Sequence, residues 1–136
     1  MNSKQPIYPE GPYLQSSAYT PGICAGDLIF VSGQGPFDPR SERLETGNFE
    51  REVELTLRNI QQVLSAAGAS LRDVAKVTVY LQNINDFARM NAIYEQFFTE
   101  PRPARTTVQT VLMAGISVEI DAIAIRRPIG QLIGDT

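Results

Sequence analysis

Phe49, Val53, Leu57, Ile60, Leu64 and Ala67 recur every three or four residues, and this constrains the chain more than any other feature. The spacing lays one apolar stripe along a helix, so that helix must pack on something flat and apolar. Asn48 stands where an N-cap belongs and Gly68 where a helix stops, which predicts a helix over residues 49–67. Glu50, Glu52 and Glu54 crowd its first turns, where the helix dipole favours negative charge, and read as a solvated face.

The flat partner is visible on either side. Residues 18–24 predict a short strand and Leu28–Ser32 a strongly apolar one, buried on both sides or nearly so. Gly26-Asp27 between them is a two-residue hairpin signal. From Asp73 to Gln82 the residues alternate, with Val77, Val79 and Leu81 on one face and Lys76, Thr78 and Tyr80 on the other. Asn83–Asp86 turns into a second helix over residues 87–98, with Phe87, Met90, Tyr94, Phe97 and Phe98 as its stripe. Asn91 borders that stripe, either for a hydrogen bond to neighbouring backbone or to reach into a site. Two prolines in 99–103 force a loop, a strand follows from Pro103 to Leu112, and Met113-Ala114-Gly115 reads as a turn into a last strand over residues 116–126. Residues 1–17 read as an arm, 37–47 as loop and 128–136 as a tail around one domain, 1–136. The order β-β-α-β-α-β-β predicts an α+β fold with two helices on one face of a mixed sheet. The other face is expected to carry Thr78, Tyr80, Glu119 and Arg105, too mixed for solvent alone, which predicts assembly of copies through the sheet.

Composition removes whole classes of chemistry. There is no His, which excludes Ser-His-Asp and Cys-His catalysis and the commonest metal ligand. Cys24 is the single Cys, so no intramolecular disulfide or thiolate zinc site can form. Gly33-Gln34-Gly35 is not a dinucleotide fingerprint and no phosphate-binding loop is present, so no cofactor is expected. A net charge of −3 without a basic patch makes nucleic acid an unfavoured partner. No apolar run approaches ~18 residues and the N-terminus lacks a secretory signal, so no membrane partner and a cytoplasmic location are expected.

What remains is carboxylates, Arg, Tyr, hydroxyls and backbone. Arg105 opens a strand with Thr107 on its own face. A guanidinium facing inward is explained by an ion pair or by a ligand carboxylate held bidentately. Glu119 and Asp121 sit in a near-continuous apolar run, where carboxylates are costly unless paired or functional. If the last two strands pair across their turn, Arg105, Thr107 and Glu119 become neighbours, as a salt bridge or as a clamp beside an acid–base group. The glycines after Ser32 permit either a bulge or backbone presented to a ligand.

Five tracts together resemble the Rid family of enamine/imine deaminases (the YjgF/YER057c/UK114 group): YTPGICAGDLIFVSGQGP from Tyr19, LSAAGASLRDV from Leu64, DFARMNAIYEQFF from Asp86, PARTTV from Pro103 and VEIDAIA from Val118. The resemblance implies a chorismate-mutase-like fold and a homotrimer whose sheets form a central barrel, with sites at subunit interfaces. It implies cofactor-free hydrolysis of reactive 2-imino or 2-enamino acids, of the 2-iminobutanoate/2-iminopropanoate type, to 2-oxo acids and ammonia. Arg105 matches the carboxylate clamp, Glu119 the acid that positions water or shuttles protons, and Gly33 the glycine whose carbonyl faces the substrate nitrogen. Thr107 matches a main-chain donor position where many members have Cys, and Asn91 a site-bordering Asn. The site tyrosine is matched by Tyr19 on spacing, although GPYLQ from Gly11 places Tyr13 in a similar tract. A 2-aminomuconate-type deaminase, a non-catalytic carboxylate-binding trimer and, against the acidic composition, an endoribonuclease are the other functions the resemblance leaves open.

Overall fold

The computed structural model describes residues 3–126, so the proposed tail at 128–136 lies outside the described residues. The apolar stripe becomes α1 (Phe49–Ala66), with Asn48 accepting from Arg51 N at 3.1 Å and Gly68 at φ +76° beyond its end. α2 (Phe87–Phe97) is the second helix. The strands are β1 (Gln5–Ile7), β2 (Gly22–Ala25), β3 (Leu28–Gln34), β4 (Phe37–Asp38), β5 (Arg43–Leu44), β6 (Val74–Leu81), β7 (Ala104–Gln109) and β8 (Val118–Ile125). Six of them form one sheet in the order β1-β2-β3-β8-β6-β7, and β4 and β5 form a separate two-stranded ladder. Only the β6–β7 pair is parallel. The result is the mixed α+β architecture the periodicities predict, with both helices on one face.

β6, α2 and β7 form a strand–helix–strand unit, and such a crossover returns the chain parallel to its starting strand. β7 therefore takes one flank of β6, and β8 enters antiparallel on the other. The two last strands do not pair, contrary to the tight-turn reading. The 113–115 segment is a 3₁₀ turn with Ala114 at φ 59°, and it carries the chain past the end of β6 rather than closing a hairpin.

Alternation in β6 and β8 puts Val77, Val79, Leu81, Val118, Ile120, Ala122 and Ala124 against the helices, all 2% exposed or less. These meet Val53, Leu57, Ile60 and Leu64 of α1 and Met90 and Tyr94 of α2 in a continuous core. β3 departs from the expected burial on both sides. Ile29 and Val31 are buried, but Leu28 and Phe30 are each 40% exposed. Phe30 pairs with Ile123 and Leu28 with Ile125, so an apolar strip lies on the face without helices. The strand is apolar on both faces, and its outer strip lies bare on the single chain.

Three further segments differ from expectation. Residues 37–47 contain the β4–β5 ladder rather than plain loop, and the arm over 1–17 includes β1, which extends the sheet beside β2. Glu52 is 1% exposed, not solvated. Its carboxylate accepts from Ser117 N at 2.7 Å, Ser117 Oγ at 3.2 Å and Gly47 N at 3.3 Å. A buried carboxylate survives when donors surround it, and these donors tie the entry of β8 to the first turn of α1. Among the described residues no helix is long and apolar enough to cross a membrane.

Candidate active site

Strand register decides where the chemistry-bearing side chains point. Arg105 is level with Val77, and Val77 with Ala122, all on the helix-covered face. Glu119 is level with Tyr80, and Tyr80 with Val108, on the bare face. Arg105 and Glu119 thus lie on opposite faces of the sheet with β6 between their strands. The expected adjacency fails within one chain, and so does the salt-bridge reading built on it.

Two half-sites result. The first is an open cleft of about 260 Å³ between β7 and α2, lined by Asn91, Tyr94, Glu95, Arg102, Pro103 and Arg105. The Arg105 guanidinium carbon stands 4.7 Å from the Tyr94 ring centre and 5.4 Å from that of Phe87. No carboxylate pairs with Arg105, whereas Arg51, Arg89 and Arg102 all have acidic partners among the described residues. Aromatic faces hold a guanidinium by its plane and leave its N–H edges free, which suits bidentate capture of an anion. Asn91 Oδ1 is buried without a hydrogen-bond partner, so the backbone-bonding reading of Asn91 is not what the structure shows. Thr107 follows Arg105 on the same face, level with Val79 and half-buried.

The second half-site centres on the end of β3. Val31 is level with Ala122 but Gln34 with Ile120, so β3 carries one extra residue at 32–33. This bulge throws Gly33 against Glu119. A Cβ at Gly33 would overlap Glu119 Oε2, so the glycine lets that carboxylate approach the backbone. Ser32 anchors the segment from the other side, with Oγ donating to Thr20 O at 2.6 Å and its N–H to Pro21 O at 2.9 Å. Asn59 of α1 donates to Gly35 O and Phe37 O, both at 2.9 Å. Tyr19, Pro21, Gly33, Gln34 and Gly35 line a small cleft here together with Tyr13, so both candidate tyrosines reach it.

Burial, reinforced by the Asp121 charge, raises the Glu119 carboxyl above its ordinary value. Asp121 is itself engaged, accepting from Tyr80 Oη at 2.9 Å. A carboxyl with a raised value is costly to ionise in the fold, so the native state is penalised as pH rises from the unfolded value of 4.5 through the folded one. Below 4.5 both states are protonated and the penalty is absent. Glu119→Gln is therefore expected to raise Tm at pH 7 and to leave it unchanged at pH 3.5–4. The gain is modest because solvent still reaches the group. Thermal melts of both proteins across that pH range check it.

Sequence reasoning missed the roles of two residues, Glu52 at the entry of β8 and Tyr94 beside Arg105. Glu52 falls three residues after Phe49 and four before Thr56, so the same wheel that located the core could have put it inside. Tyr94 was legible as core but not as the platform for Arg105, because a lone sequence does not show which strand lies beneath a helix.

An α+β chain with an unpaired guanidinium on one sheet face and a perturbed carboxyl on the other is the class of protein that the fold and these residues define. The comparisons give that class its family. Residues 12–126 match the family model described as Endoribonuclease L-PSP, and the chain belongs to this family, the YjgF/RutC or Rid proteins. A RutC family protein of Pyrococcus horikoshii is 43% identical over 124 residues, covering 90% of this chain and 91% of that one. A protein of Salmonella typhimurium named 2-iminobutanoate/2-iminopropanoate deaminase is 37% identical over 121 residues, covering 86% and 89%. Among solved structures, the YjgF gene product of Escherichia coli superimposes with TM-score 0.83 at 35% identity, over 90% of this chain and 99% of that one. The Rid protein YyfA of Yersinia pestis gives 0.87 at 32% identity, over 90% and 99%.

Proposed function

We propose that this chain hydrolyses reactive 2-imino or 2-enamino acids to 2-oxo acids and ammonia, at sites shared between adjacent copies of a ring-shaped homotrimer. The observation that carries the reading is Arg105, a half-buried guanidinium with no carboxylate partner, braced on Tyr94 and Phe87. The named activity of the 37%-identical relative supports the same substrate class. One copy supplies Arg105 with Asn91 and the main chain at Thr107, and the next supplies Glu119, the Gly33 carbonyl and Tyr19. The bare apolar strip of Leu28, Phe30 and Ile125 supports burial of that face by another copy, as the packed sheets of a central barrel require.

The chemistry follows from the groups. Arg105 fixes the carboxylate and so orients the adjacent C=N bond. Water adds to the imine carbon, the nitrogen gains protons, and ammonia departs as the C=O bond of the 2-oxo acid forms. Glu119, with its carboxyl raised, can take a proton from water and return it to the leaving nitrogen. The Gly33 carbonyl accepts from the substrate N–H. This chemistry uses no metal or cofactor, and the reading places the protein in the cytoplasm, where imino acids arise.

Gly33→Ala provides a test in which stability and activity separate. The new methyl group meets only the far end of a flexible side chain, so Tm should move by no more than about 4 °C. Glu119 must swing away, and ammonia release from imines generated in situ should fall at least about 10-fold. Unchanged turnover would show that the Gly33–Glu119 contact has no part in the reaction.

A further inference from the structure

Among the described residues three buried side-chain polar atoms lack a hydrogen-bond partner, and two of them, Tyr94 Oη and Asn91 Oδ1, belong to residues lining the Arg105 cleft. Tyr94 is 4% exposed, packed ring-to-ring on Phe98 at 4.6 Å and face-on to Arg105 at 4.7 Å. Phenylalanine would fill that space and stack on the guanidinium in the same way, so the packing calls for the ring and not for the hydroxyl. A buried hydroxyl with no partner is a standing cost, and such groups call for an explanation outside the free protein's own packing. A group that docks on Arg105, whose guanidinium lies over the Tyr94 ring, can bring the missing partner.

We propose that Tyr94 is a ligand-binding residue whose hydroxyl donates a hydrogen bond to the carboxylate captured by Arg105, while its ring holds the guanidinium flat for that capture. The proposal rests on the clamp reading of Arg105 and adds a third donor to it. Burial raises the Tyr94 phenol above its ordinary value, against the opposing charge and N–H groups of the adjacent Arg105, which can only donate to the phenol oxygen and so leave the hydroxyl proton free to donate. The ligand class is accordingly a carboxylate small enough to settle between β7 and α2 with one oxygen on the guanidinium edge and within reach of the phenol.

Tyr94→Phe keeps the ring and deletes only the donor. Titration calorimetry with 2-oxobutanoate should show Kd raised about 10-fold, the loss of one charge-assisted hydrogen bond. Tm should stay level or rise, because an unpartnered hydroxyl is removed. In turnover KM should rise while kcat stays within about two-fold, since a carboxylate contact is made equally in ground and transition states. An unchanged Kd overturns the proposal, and so does a weakened Kd accompanied by a fall of several degrees in Tm, which marks a packing role. Arg105→Ala is measured alongside. If it binds 2-oxobutanoate as tightly as the parent, the clamp reading itself fails; if it loses binding while Tyr94→Phe does not, only the role of Tyr94 falls.

Discussion

Arg105→Ala is expected to lower kcat/KM for 2-imino acid hydrolysis by about 100- to 1,000-fold while leaving the protein folded. Losing one side of a hydrogen-bonded charge pair costs about 2–5 kcal/mol in binding, and here the orphaned charge would be the substrate carboxylate. The cost to stability is small because Arg105 has no acidic partner to strand, only aromatic contacts with Phe87 and Tyr94 worth about 0.5–1 kcal/mol each. Arg105→Lys keeps the charge but not the planar fork, and should fall between the two. Ammonia release from imines generated in situ, followed beside a thermal melt, separates these effects. Full activity in the alanine variant would remove the clamp.

Phe30→Asp should be equally damaging by another route. Phe30 is 40% exposed on the bare sheet face, level with Ile123, and touches neither half-site. If that face is buried between copies, the substitution puts an unpaired carboxylate into each apolar junction, at several kcal/mol per copy. The mass in solution should drop to that of a single chain, and activity should be lost with it although Arg105 and Glu119 are untouched. In a protein that works as a monomer the same change would be close to neutral, since a surface charge replaces a surface ring. Light scattering and turnover on one sample distinguish the cases.

Much of this was legible in the sequence because it depends on period. The stripe of α1 and the alternation of β6 and β8 follow from 3.6- and two-residue repeats, and the structure has both. The face of Arg105 does not follow: the sequence groups it with Thr78, Tyr80 and Glu119, and the register puts it with Val77 under the helices. What failed depends on which strands become neighbours. A short turn at Met113–Gly115 looks like a hairpin, but the crossover through α2 had already committed one flank of β6 to β7. Arg105 and Glu119 stand out in the sequence as chemical groups of one neighbourhood, and the register puts them on opposite faces. The β4 and β5 pair, two residues each, is too short to show alternation. Leu28 and Phe30 look like core in the sequence because apolar residues on both faces are the same letters whether or not a helix covers them.

Opposite faces make one experiment decisive. Arg105→Ala and Glu119→Ala variants each lack one half-site, and neither alone should turn over substrate. Mixed within the same assemblies by co-expression, they restore a complete site wherever an intact Arg105 from one copy meets an intact Glu119 from the next. Random mixing at equal amounts gives that junction at about a quarter of positions, so activity should return to about 25% of the parent's. If the mixed assemblies, verified by mass, remain as inactive as either variant alone, Arg105 and Glu119 do not act across a subunit junction and the shared site is contradicted.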